Sequence, residues 1–392
     1  MLNSLQMRYF PFFDMLYKIR KLVAERGGNT MSKYEEIKNY LLENNIDAAF
    51  ITTPDNVFYV SGFKSNPHER LLGVMIFKEA EPFLICPQME IPDAKAAGWT
   101  YEVIGHQDTE DSMVVLADAI KARGVNPSIF AIEKAHLIVE RLEALQQLFP
   151  QASYVRLDEK INAMRVIKDE TELNKLRKAA ELADYAIEVG CKEIAEGKTE
   201  IEILTAIENA IQEKGCKMSF ETMVLSGPKT ASPHGTPGTR KIQKGDMVLF
   251  DLGVIYEGYC SDITRTVAYG EPSEAQKDIY NAVLAANMNA VAAVKPGVRA
   301  MDLDKIARDT IADAGYGEYF THRLGHGLGI SVHEFPSVTG SNDMTMEAGM
   351  VFTIEPGVYK ADVTGVRIED DVVVTKDGVE VLTKFPKELT VL

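Results

Sequence analysis

The chain has 392 residues, 46% of them hydrophobic, which is long enough for two domains and too apolar for global disorder. Its net charge of −16 disfavours binding to nucleic acid or to an anionic membrane through bulk electrostatics. The four cysteines, Cys86, Cys191, Cys216 and Cys260, form no CxxC pair and read as reduced thiols of a cytoplasmic protein, not as a disulfide framework.

Residues 1–30 carry an aromatic run, Phe10 to Leu16, that Pro11 and Asp14 interrupt. The run lacks the apolar stretch of a secretory signal and is too short to span a bilayer. The segment reads as an appendage outside the core, with a short membrane-surface helix as the alternative. Residues 31–158 read as an α/β domain. An amphipathic helix over 33–44 leads into the apolar run "AAFITTP", and "NVFYVSGF" follows. "LLGVMIFKEAEPFLIC" predicts a hairpin turning at Glu79 to Glu81. Strands are expected at "YEVIGH" and "SIFAIE", and a helix at "LIVERLEALQQLF". This part contains no phosphate loop, no GxGxxG and no catalytic motif.

Residues 159–392 repeat themselves. A helix over 170–196 is followed by a helix that Thr199 and Glu202 open as a capping box and Gly215 stops. Ser273 and Gln276 open the next helix, which ends at "KPG", and a further helix stops at Gly315. Each helix pair leads into an acidic hairpin. The pattern predicts an internal duplication, two helix–helix–hairpin halves sharing one sheet.

In the first hairpin, Met247 to Tyr256 turns at Glu257-Gly258 and returns over Tyr259 to Ala268. Side chains alternate with period two, so Asp251 and Asp262 fall near each other on one face. In the second, a turn near Asp362 brings Glu355 and Glu369 opposite each other. Any one of these acids alone reads as solvent-facing, and the "EDD" at Glu369 as a solvated acidic run. Together they interrupt strongly apolar strands, where four carboxylates would be costly unless cations compensate them. The stretch "HRLGHGLGISVHEFP" gathers His322, His326 and His333. Their spacing is not that of an HExxH zinc helix, and the glycines argue for a loop running into a strand. Four carboxylates and one imidazole suit two bridged divalent ions, manganese first among Mn, Co, Zn and Fe.

At this point the chain resembles a known family. "DLGVIYEGYCSDITRT", "GHGLG", "VHE", "EPGVY" and "GVRIEDDVVVT" are similar to the motifs of the pita-bread metallopeptidases, which include methionine aminopeptidase, aminopeptidase P and prolidase. The resemblance implies an α+β protein: a pita-bread catalytic domain over 159–392, preceded by a creatinase-like α/β N-terminal domain. It implies Asp251, Asp262, His326, Glu355 and Glu369 as ligands of a dinuclear site, with Asp262 and Glu369 bridging. A domain before the catalytic half separates aminopeptidase P and prolidase from methionine aminopeptidase. The function implied is therefore hydrolysis of the Xaa-Pro bond, in dipeptides or at the N-terminus of proline-containing peptides, by a metal-bridging hydroxide. Glu355 would also carry a proton, His234 and His322 would face substrate, and His333 would support the tetrahedral intermediate. Tyr359 and Arg367 match positions of the proline-specific members, and Arg367 reads equally as a substrate contact or as a partner of acids behind the site. A homodimer is implied as well. The competing reading is a non-catalytic pita-bread module that binds peptide or protein; such modules lose ligands, and this chain keeps all five.

Overall fold

The computed structural model describes residues 32–392, so the appendage expected over 1–30 lies outside the described residues. The chain divides into two compact units between Met164 and Arg165, inside the helix Asp158–Val166; the sequence alone set the division at 158/159.

In the first unit the helix Lys33–Glu43 opens on a capping box of Ser32 and Glu35 and buries Tyr34, Ile37 and Leu41. Six strands follow: β1 (Ala48–Ile51), β2 (Gly73–Phe77), β3 (Phe83–Pro87), β4 (Glu102–His106), β5 (Ile129–Ile132) and β6 (Ser153–Arg156). They form one mixed sheet in the order β4-β3-β2-β1-β5-β6. β2 and β3 make the expected hairpin, with Met75 opposite Phe83. "NVFYVSGF" falls in the helix Pro54–Ser61, which Gly62 ends in a left-handed conformation. The helix Ser112–Ala122, capped by Asp111, and strand β6 have no counterpart in the sequence reading.

The second unit holds the duplication. The helices Glu170–Glu193, Glu200–Glu213, Glu274–Ala293 and Ala300–Asp313 form two pairs, with capping boxes at Thr199/Glu202 and Ser273/Gln276 as the sequence predicts. Gly215 and Gly315 end the second helix of each pair at positive φ, 72° and 87°. The strands are β7 (Lys217–Met218), β8 (Met223–Ser226), β9 (Asp246–Leu252), β10 (Val254–Tyr256), β11 (Tyr259–Cys260) and β12 (Ile263–Tyr269) in the first half. The second half has β13 (Gly325–Gly327), β14 (Glu334–Val338), β15 (Val351–Ile354), β16 (Gly357–Lys360), β17 (Thr364–Arg367), β18 (Asp370–Val374) and β19 (Val379–Val381).

These strands do not share one ladder, as expected from the repeat, but fall into separate sheets: β12-β9-β8, β11-β10-β7, β14-β13-β15-β18-β19 and β16-β17. The reason is local. In the first hairpin the Ser261 hydroxyl accepts the Val254 N–H at 3.0 Å, taking over a ladder bond. In the second, Pro356 has no N–H to contribute between β15 and β16. The halves still join through backbone, since the Glu369 N–H donates to the Thr264 carbonyl at 3.0 Å.

The two helices of the first half cover one face of β9 and β12. Ile203, Ile207 and Ile211 pack in one core with Val248, Phe250, Leu252, Ile263 and Val267. Gly190 permits this approach, because a Cβ there would lie 2.7 Å from the Phe250 ring. Period-two alternation then sends Asp251, Asp262, Thr264 and Thr266 to the opposite face.

Candidate metal centre

Both hairpins keep the register that the sequence predicts. Tyr256 pairs with Tyr259 across Glu257-Gly258, both at positive φ, and Asp251 pairs with Thr264. Asp262 is two residues from Thr264 and shares its face. In the second hairpin Ile354 pairs with Asp370 and Gly357 with Arg367, which sets Glu355 opposite Glu369. His326 sits in the middle of β13, with Gly327 paired to Phe352 of β15. The flanking glycines are a steric requirement. A Cβ on Gly325 would lie 1.9 Å from the Thr353 carbonyl, and one on Gly327 would lie 2.0 Å from the Phe335 carbonyl. Gly325→Ala is therefore expected to force β13 from β15, costing about 1–3 kcal/mol of stability and displacing His326. Thermal unfolding and metal titration of that variant check both effects.

Three of the five sequence-predicted donors form one cluster, Glu355 stands against its histidine, and Asp251 faces Arg367. Asp262, His326 and Glu369 each offer one ligand atom, all within 4.8 Å of one another, and all three residues are buried. Glu355 Oε1 lies 3.4 Å from His326 Nε2, and Asp262 Oδ2 lies 3.7 Å from it. Asp251 is half-buried, with its carboxylate held by the Arg367 guanidinium. One Asp262 oxygen, Oδ1, is buried without a hydrogen-bond partner. A lone buried carboxylate oxygen costs free energy that only a cation or proton offsets, so this donor set fits a hard divalent ion.

Electrostatics agree. Burial, then the neighbouring Glu369, Asp251, Asp371 and Glu355 charges, hold the Asp262 carboxyl well above its ordinary range. Burial, then Glu355 and Asp251, do the same to Glu369. Burial pushes Glu355 up to about 7, with Arg367 opposing and Asp251 adding to the rise. Burial and then the His333 charge press His326 down to about 3, so its imidazole is neutral and free to ligate. Without metal the acids therefore hold protons that a cation must displace. Lowering the pH below about 7 is expected to weaken metal binding, with protons released on loading. Calorimetric metal titrations in buffers of different ionisation enthalpy count those protons; a binding constant flat across that window contradicts the assignment.

The remaining histidines differ among themselves. His322 is half-buried, with Nδ1 donating to the Arg323 carbonyl at 2.8 Å and Nε2 lying 2.9 Å from the Tyr359 hydroxyl. Burial and then Arg367 press it down to about 4. His333 is exposed, and its ring centre lies 4.0 Å from that of His326. His234 is exposed in the loop after Ala231, close enough for its charge to lower both His322 and His333. Arg367 directs its donors to Thr264 Oγ1 at 3.0 Å, to the Tyr359 hydroxyl at 2.8 Å and to Asp251.

Sequence reasoning missed the residues that hold these groups in place. Thr264 donates to Glu369 at 2.6 Å, and Thr353 donates to Glu355 at 3.2 Å. Asp371 accepts the Asp262 N–H at 2.9 Å. Asp370 and Asp371 are fully buried, so "EDD" is not a solvated run. Asp370 is paired with Arg265 and Lys387 instead. Glu200 accepts from the Ser226 N–H and the Gly238 N–H, both at 2.8 Å, and so closes the base of the loop that carries His234. The period-two spacing of Thr264 from Asp262, and of Thr353 from Glu355, was the available signal.

Residues 174–376 match metallopeptidase family M24. The chain belongs to metallopeptidase family M24. Residues 33–167 of this M24 enzyme match the creatinase/prolidase N-terminal domain, which agrees with the domain order expected from the motifs. The enzyme is 50% identical over 363 residues to a protein of Bacillus subtilis (strain 168) named "Putative dipeptidase YkvY", covering 92% of this chain and 100% of that one. Among solved structures it resembles the prolidase of Pyrococcus horikoshii OT3, with 38% identity and a TM-score of 0.84, over 91% of this chain and 99% of that one. It also resembles an Xaa-Pro dipeptidase of Bacillus anthracis, with 35% identity and a TM-score of 0.85, over 92% and 99% of the two chains. An X-Pro aminopeptidase of Thermotoga maritima MSB8 is 33% identical with a TM-score of 0.80, over 89% and 98%. Among the described residues no helix is long and apolar enough to cross a membrane.

Proposed function

We propose that this metallopeptidase hydrolyses the Xaa-Pro bond of proline-containing peptides at a two-metal site. Asp251, Asp262, His326, Glu355 and Glu369 would hold the ions, with Asp262 and Glu369 shared between them and manganese the first candidate. The observation that carries the reading is the Asp262 carboxylate, buried with one oxygen unpaired among three further acids and a neutral imidazole. Bound divalent ions would supply a water acidified toward pKa ~7 and a polarised peptide carbonyl.

The side chains do the rest. Glu355, set beside His326, takes a proton from the attacking water and returns it to the leaving nitrogen. His333, exposed beside His326, donates to the carbonyl oxygen as its charge develops. His234, His322 and Tyr359 line the substrate side. Arg367, with donors on Asp251, Thr264 and Tyr359, orients those groups; its engaged guanidinium favours this role over a direct substrate contact. The same resemblance supports a homodimer, and the four cysteines, none in a disulfide, support a cytoplasmic setting.

The test is mass spectrometry of the products from Xaa-Pro and Xaa-Pro-Yaa peptides, with metal analysis of the same preparation. Release of free proline or of the N-terminal residue, at about two ions per chain, is the expected result. Metal-loaded protein that binds these peptides and cleaves none would favour a binding module.

A further inference from the structure

We infer that Arg323 is the group that recognises the free carboxylate of the substrate, which makes this enzyme a dipeptidase; the inference rests on the Xaa-Pro reading above. Arg323 precedes β13 by two residues, and its Nη1 donates to Ser337 Oγ at 3.3 Å. Ser337 is the strand partner of His326. Directly opposed residues of an antiparallel pair project to the same face, so the guanidinium is drawn onto the face from which the His326 imidazole meets Asp262 and Glu355. Its charge is felt there: it lowers the pKa of His326, His333 and Glu355 alike.

Two features set this arginine apart. It has no carboxylate within ion-pair distance among the described residues, although its charge reaches Glu355. Arg367, in the same site, is by contrast committed to Asp251. Of the five N–H donors a guanidinium carries, the described residues engage one of Arg323. Its backbone is also held firmly. The Arg308 guanidinium donates to the His322 carbonyl, and the Leu324 N–H donates to Asp304 at 3.1 Å. Arg308 and Asp304 are themselves paired at 2.7 Å. A half-buried cation on a pinned loop, facing a catalytic centre with its donors open, is built to receive an anion.

The chemistry of the substrate says which anion. In an Xaa-Pro dipeptide the carboxylate carbon stands on the order of 4 Å beyond the scissile carbonyl, whereas in Xaa-Pro-Yaa it is one residue farther away. A fixed cation beside His326 and His333 therefore distinguishes a dipeptide from a longer peptide. A peptide longer by one residue would put an uncharged amide against the guanidinium and leave it unpaired.

The experiment compares wild type, Arg323→Gln and Arg323→Lys, each with its metal content measured, on an Xaa-Pro dipeptide and on the same dipeptide amidated at its C-terminus. Wild type is expected to prefer the free acid. Arg323→Gln is expected to lose on the order of 10–100-fold in kcat/KM on the acid, mostly through KM, as befits one charged hydrogen-bonded contact. On the amide it is expected to stay within about threefold of wild type, since the partner charge is absent. Arg323→Lys keeps the charge without the fork and is expected to fall between the two on the acid; it also serves if the Gln variant does not fold. Equal losses on acid and amide, or no loss on the acid, overturn the assignment while leaving Xaa-Pro hydrolysis intact. Wild-type protein that cleaves neither substrate overturns the Xaa-Pro reading itself, and this one with it.

Discussion

Asp262→Ala and Glu369→Ala are each expected to abolish peptide hydrolysis and metal retention together. Both carboxylates are at least 95% buried, and each lies with His326 in a cluster no wider than 4.8 Å. Removing either leaves the cluster without the acid that two ions would share. The variants should differ from ordinary core damage in a second respect. Without metal, burial and mutual repulsion push the Asp262, Glu355 and Glu369 carboxyls to hold protons, at a desolvation cost. Loss of one acid lowers that repulsion, so metal-free Asp262→Ala is expected to melt no lower than metal-free wild type. Adding metal should raise the melting temperature of wild type and leave the variant unmoved. Metal titration, turnover and thermal unfolding of the same preparations decide it. Two tightly bound ions with full turnover in Asp262→Ala would sink the assignment of Asp262 as the ligand they share.

How far the site could be read in advance follows from which contacts are local. The acid pairs were legible because each hairpin is closed by its own short turn. Once Glu257-Gly258 and Asp362 fix the turn centres, strand alternation fixes which acids share a face. The helix boundaries were legible for the same reason, since Thr199 with Glu202 and Ser273 with Gln276 act within one turn. What holds the acids in place was not legible. Asp371 accepts the Asp262 N–H across 109 residues of sequence, and Thr264 reaches Glu369 across 105. The period within one strand puts Thr264 on the face of Asp262, but it does not reveal which acid of the other half it reaches. "EDD" was misleading because three adjacent acids suggest water, while Arg265 and Lys387 bury the middle one by neutralising it. The division of the strands into separate sheets was likewise hidden, because it depends on a serine hydroxyl and one proline. Arg323 could be placed only through the pairing of Ser337 with His326, and that register comes from the fold.

His326→Ala and His333→Ala are expected to fail in different ways, although their rings lie 4.0 Å apart. The His326 ring is buried, neutral, and within 3.4–3.7 Å of two acids that converge on the same point. Its neighbours leave that imidazole nitrogen one role, donation to a cation, and His326→Ala should lose metal content before anything else. The His333 ring is exposed and stands outside the cluster of Asp262, His326 and Glu369. His333→Ala should therefore keep its metal and lose kcat by on the order of 10²–10³, the usual effect of deleting one donor to a developing oxyanion. KM should change less, because that contact strengthens mainly in the transition state. Metal analysis and steady-state kinetics on the two variants separate the cases. Equal metal loss in both would make His333 a ligand and move the oxyanion contact to another donor. An unchanged kcat in His333→Ala would return that residue to the surface loop it occupies, with no part in the chemistry.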